Sequence, residues 1–140
     1  MPGDRMRVSP ARRHFSNVAA TPDTVRNLDI WKLGIELVKS AYEVTRTWPK
    51  QETYGLTAQV QRAAVSVPAN IAEAVGRHSH ADTARLVQVA LGSLYELDTL
   101  FEVAAQLGYA VPPDRHEALD ALIRKTSSFL DYHRRAALRT

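Results

Sequence analysis

The chain has 140 residues, 45% of them apolar and 24% charged, which suits one folded domain and leaves little room for two. It holds no cysteine, so disulfides, thiolate metal sites, iron–sulfur clusters and a cysteine nucleophile are excluded. The net charge is +3, from 18 basic and 15 acidic residues, and where those charges sit says more than their sum.

Residues 1–26 carry Arg5, Arg7, Arg12, Arg13 and Arg26 against Asp4 and Asp23. Pro2, Gly3, Pro10 and Pro22 punctuate this stretch, and no apolar periodicity runs through it. A flexible basic N-terminal tail is expected over residues 1–26, with the folded domain over 27–140. Met1 to Val8 form no apolar core of a secretory signal. No apolar run approaches the ~20 residues of a membrane span. A cytoplasmic protein without membrane contact is therefore expected.

From Leu28 the pattern becomes helical. Leu28, Trp31, Ile35, Val38, Tyr42 and Thr45 follow steps of three and four, and the run stops before Trp48-Pro49. Trp31, Tyr42 and, further on, Phe129 fall at core spacing. A second helix carries Leu56, Val60, Ala63, Ala64, Val67, Ile71 and Ala74. Pro68 lies inside it and removes one backbone donor, so a kink or short break is expected there. Gly76 suits the end.

Ser79 and Asp82 have the spacing of a capping box. They open a third helix that runs to Leu107, with Gly108 at its end. Its polar stripe is narrow, and its apolar surface exceeds the face that one bundle core needs. A second subunit is the simplest cover, so a homo-oligomer is expected. Gly92 costs ~1 kcal/mol of helix propensity in mid-helix, and a close helix approach would compensate. Asp114 and Glu117 open a fourth helix after Pro112-Pro113. No segment alternates with period two. The expected fold is all-α, an antiparallel up-down four-helix bundle with its second helix kinked at Pro68.

Charge is polarised along this body. From Leu86 to Pro113 the charged residues are Glu96, Asp98 and Glu102. From Ala121 to Thr140 they are Arg124, Lys125, Arg134, Arg135 and Arg139 against Asp131. Such a basic end can contact phosphates. From charge alone the preferred reading is a solvated face that suits the helix dipole.

No constellation for catalysis is visible. Glu-x-x-His, Walker, Gly-x-Gly-x-x-Gly and Gly-x-Ser-x-Gly patterns are all missing. His78 and His80 are two apart, while His14, His116 and His133 are scattered. No catalytic residue, metal site or cofactor is expected. One polar set does stand out on the second helix: Arg62, Ser66, Asn70, Glu73 and Arg77, in steps of four, four, three and four. It can bind a phosphate backbone, or it can be a hydrogen-bonded seam between helices. The seam is preferred, because stripes of both signs satisfy themselves. Glu96 is a candidate partner for Arg62 or Arg77. Ser66 and Asn70 are candidates to serve backbone groups that Pro68 frees.

Four segments together resemble one family. They are Leu28–Trp31, Tyr54–Gln59, the string Arg62-Ala-Ala-Val-Ser-Val-Pro-Ala-Asn-Ile-Ala-Glu73, and Ala90–Leu97, which holds Gly92 and Glu96. They look like the bacterial four-helix bundle proteins of 23S rRNA intervening sequences, over about residues 26–132. That group includes the accessory variability determinant, Avd, of diversity-generating retroelements. The resemblance implies a homopentamer without known catalysis. In the Avd branch it implies a basic barrel that binds nucleic acid and a reverse transcriptase. It singles out Arg62 and Arg77 as the basic residues that matter, with Ser66, Pro68, Asn70 and Glu73 as structural signature. Gln61, Ala74 and Gln106 depart from the family pattern, and two of these changes lower the positive charge of the body.

The expected function is a non-enzymatic, homo-oligomeric accessory that binds RNA or DNA. A protein-interaction scaffold without nucleic-acid contact is the alternative. The candidate nucleic-acid contacts are Arg62, Arg77, Arg124, Lys125, Arg134, Arg135 and Arg139.

Overall fold

A computed structural model of the chain describes residues 22–139. Among them run α1 (Pro22–Arg26), α2 (Asp29–Thr45), a 3-10 turn (Lys50–Glu52), α3 (Leu56–Val75), α4 (His80–Gln106) and α5 (Arg115–Leu138). No strand occurs among the described residues. The protein is all-α, and α2 to α5 pack as a four-helix bundle. The tail reading is corrected at its edge: Pro22–Arg26 is helical, with Arg26 paired to Asp23. The rest of the expected tail, residues 1–21, lies outside the described residues, as does Thr140.

The facing residues give the chain direction. Thr45 of α2 meets Gln61 of α3, and Gly34 meets Pro68. Ser66 of α3 meets Ser93 of α4, and Ala74 meets Thr83. His80 of α4 meets His133 of α5, and Glu102 meets Arg115. In every pair the number rises along one helix as it falls along the next. Short connections leave a chain little other way to pack consecutive helices.

The core is built from these helices' apolar stripes. Leu37 and Ala41 of α2, Val60, Val67 and Ile71 of α3, and Leu94, Leu97 and Phe101 of α4 are buried, together with Leu119 and Leu122 of α5. Trp31 and Phe129 pack on this core half-buried, but Tyr42 is 40% exposed. Its three- and four-residue step was right, and its place at the border of the stripe leaves it outside.

The local signals act as physics requires. Ser79 Oγ accepts the Asp82 amide at 3.1 Å and caps α4. Gly76 follows the last residue of α3, and Gly108 takes a φ of 84° after α4. Asp114 precedes α5 but makes no side-chain cap bond. The α3 helix continues through Pro68 without a break. Its ring lies against Gly34, where an added Cβ would stand 3.2 Å from Pro68 Cβ. The close helix approach is therefore at Gly34, not at Gly92, whose Cβ position has nothing within 4 Å.

Opposite the basic end, two connections are tied together. Trp48 is buried and its Nε1 donates to Ala110 O at 2.7 Å. Tyr109 packs on the Trp48 ring, with centroids 5.6 Å apart, and its hydroxyl donates to Glu52 Oε2 at 2.9 Å. That carboxylate raises the Tyr109 pKa above its ordinary value. The sequence signal at Trp48-Pro49 was a helix stop; its long-range anchoring role was not visible.

A candidate nucleic-acid interface at the basic end

The start of α4 and the end of α5 come together because the two helices run past each other in opposite directions. Arg85 of α4 and Arg134 of α5 flank a groove of about 430 Å³ whose floor is Ala81, Ala84 and Ala137. Arg134 donates to Gln88 Oε1 across that groove. One turn around α5, Arg135 and Arg139 border a second hollow of about 360 Å³ with Ser128, Asp131 and Tyr132. Arg85, Arg134, Arg135 and Arg139 are all exposed. Arg85 has only a loose contact, 3.7 Å, to Asp82. Cations near the last turn of α5 also suit the negative end of its dipole.

Beneath them lies a pair of imidazoles. His80 Nδ1 and His133 Nδ1 are 2.9 Å apart. Phe129 and Tyr132 set ring edges and faces against His133 at 4.6 and 5.0 Å. Burial, then the neighbouring His80, lowers the His133 pKa to about 4. Burial, then Arg139, lowers His80. Both rings are thus held neutral near pH 7, and a bond between them needs one Nδ1 to donate and the other to accept.

The other expected contacts divide. Arg124 is exposed on α5. Lys125 is exposed too, but binds Asp29 Oδ2 at 2.6 Å and ties α5 to α2. Arg77 pairs with Glu73 at 2.5 Å, one turn back on the same face. Arg62 is exposed, and no ion pair holds it among the described residues. It stands about 20 Å of helix away from the end of α3 at Val75, and Arg77 lies beyond that end, so the two do not form one patch. Glu96 is exposed and bonds to neither arginine; Glu73 takes that role one turn away from Arg77.

The polar stripe of α3 is chiefly a seam. Ser66 Oγ and Ser93 Oγ are 2.8 Å apart across α3 and α4. Asn70 Nδ2 donates to Ser66 O at 2.8 Å and Ser66 Oγ at 2.9 Å. Asn70 therefore serves the Ser66 carbonyl, not that of Ala64, the acceptor whose amide Pro68 lacks. Arg85, Gln88 and Tyr132 belong to the basic end and were missed from sequence. Only the pairing of α4 with α5 brings them beside Arg134 and Arg135, and no local motif announces it.

Fold and surface define a small helical-bundle protein with four exposed arginines, Arg85, Arg134, Arg135 and Arg139, gathered at one end. The chain belongs to the family of 23S rRNA-intervening sequence proteins, whose family model matches residues 26–131. No curated protein matches it in sequence. Among the described residues no helix is long and apolar enough to cross a membrane.

Proposed function

We propose that this protein is a non-enzymatic, homo-oligomeric accessory that binds nucleic acid through the arginines of α4 and α5. The observation that supports the reading is the convergence of Arg85, Arg134, Arg135 and Arg139 around two grooves, exposed and largely unpaired by acids. Such contacts are phosphate contacts, so binding is electrostatic and weakly sequence-specific. Assembly multiplies them: each added copy presents the same end again. In its finer form the reading takes the pentamer, and in the Avd-like branch the reverse transcriptase partner, that the family resemblance suggests.

The test is fluorescence anisotropy with a labelled structured RNA and a DNA duplex, using full-length protein and protein lacking residues 1–21. Binding by both proteins that weakens steeply with salt supports the folded body as the interface. Binding by full-length protein alone moves the function to the N-terminal arginines. Loss of binding in both at low salt overturns the reading and leaves a protein-interaction scaffold.

A further inference from the structure

We infer that copies of this chain join by seating Tyr54 of one in the cleft between α2 and α5 of the next. The inference rests on the homo-oligomer reading above and names the contact that reading lacks.

Tyr54 stands 96% exposed at the tip of the connection between α2 and α3. An aromatic ring in water is an unspent contact surface of about 150–250 Å². The connection that carries it is braced. Glu52 Oε1 accepts the Leu56 amide at 3.2 Å, Thr53 Oγ1 donates to Lys50 O at 2.7 Å, and the Gly55 amide donates to Glu52 O at 2.9 Å. Tyr109 holds the other oxygen of Glu52. A braced projection loses little freedom on docking.

The receiving cleft lies on another face. Of the neighbouring helices in the bundle, α2 and α5 touch least. Between them opens a space of about 290 Å³ over Leu37, Phe101 and Leu122. An apolar cavity of ~150 Å³ already holds a benzene ring, so one tyrosine side chain fits. Glu36, Ser40 and Asp114 at the cleft's edge offer oxygens to a phenol hydroxyl.

Charge agrees with shape. Arg46 and Lys50 are exposed on the Tyr54 connection, where Glu52 is engaged by Tyr109, while Glu36 and Asp114 are exposed at the cleft, where Arg115 is paired with Glu102. Unlike charges meet only when the projection of one copy faces the cleft of another. Projection and cleft are different surfaces, so the contact either repeats head-to-tail, in a ring or a filament, or is made twice across a two-fold axis.

Sedimentation equilibrium of the full-length protein tests this. Wild-type protein is expected above monomer mass, and Tyr54→Ala at monomer mass. Ala118→Trp fills the cleft from its exposed edge and is also expected to be monomeric. Mixing the two variants then restores one contact, the intact Tyr54 of one in the intact cleft of the other, and gives a dimer that neither forms alone. That dimer also shows that both variants are folded. Lys50→Glu and Glu36→Lys each weaken assembly at least tenfold, and the double exchange recovers it. An oligomer unchanged by Tyr54→Ala, or a mixture that stays monomeric, overturns the contact and leaves the homo-oligomer reading standing. A monomeric wild type overturns both.

Discussion

Where α4 ends and α5 begins, polar groups are bound into the fold: Trp48 to Ala110, Tyr109 to Glu52, Arg115 to Glu102 at 3.1 Å. Where α4 begins and α5 ends, the deeper polar groups bind each other and the outer ones face water. His80 and His133 pair beneath, while Arg135 and Arg139 stand exposed above them. The first end uses its charges and rings to fix two connections. The second already has its connection fixed by Ser79 and Thr83, whose Oγ1 donates to Ala74 O at 3.0 Å, and its arginines are left for other contacts.

The contrast can be broken from either side. Trp48→Ala empties a buried site and removes the bond to Ala110, and is expected to cost about 3–5 kcal/mol, read by urea unfolding. If the loss is under about 1 kcal/mol, that end is not anchored as described. Replacing Arg134, Arg135 and Arg139 together by Ala should leave stability within about 1 kcal/mol, as surface changes do. In the anisotropy assay the same variant should lower affinity at least tenfold and flatten its salt dependence. Unchanged affinity would place the contacts elsewhere.

Acid provides a third test, of the deeper layer at the basic end. The folded pKa of His133, about 4, lies below its ordinary 6.5. The unfolded chain therefore takes up a proton first as pH falls. Stability is full above about pH 6.5 and drains away toward pH 4, by about 2 kcal/mol for a drop of this size in a partly screened pair. Melting temperatures across that range, compared with His133→Gln, measure it; equal slopes would show that the imidazole pair is not responsible. The smallest effect concerns α4 between the two ends. Gly92→Ala meets open space and should raise stability by about 0.5–1 kcal/mol in thermal melts. A loss instead would mean that a neighbouring copy approaches there.

The helices were legible because their apolar steps, caps and glycine stops are local. Ser79 with Asp82, Gly76 and Gly108 each act within one turn of where they stand. The candidate site was legible only in part. Arg134, Arg135 and Arg139 are visible as a run, but their neighbours Arg85 and Gln88 lie about 50 residues away in sequence. The bond of His80 to His133 spans 53 positions and that of Trp48 to Ala110 spans 62. Gly92 carries a local cost that says nothing about direction; whether it faces a helix or water is settled by how α4 is rotated in the bundle. Tyr42 shows the same limit, since periodicity defines a stripe's axis better than its edge. The outward side of α4 shows it again. Val89, Tyr95 and Val103 are exposed there at 45, 55 and 42%, interleaved with Gln88, Glu96 and Thr99, so the apolar surface of α4 runs past the edge of the core stripe.

The meeting of Gly34 with the Pro68 ring, 3.2 to 3.4 Å from where a Cβ would stand, has a consequence for how this chain can vary. A side chain at position 34 would press on the Pro68 ring, which would have to give way slightly, and a smaller residue at 68 leaves a gap that a larger residue at 34 could fill. A change at either position is accommodated most directly at the other, across 33 residues of intervening sequence.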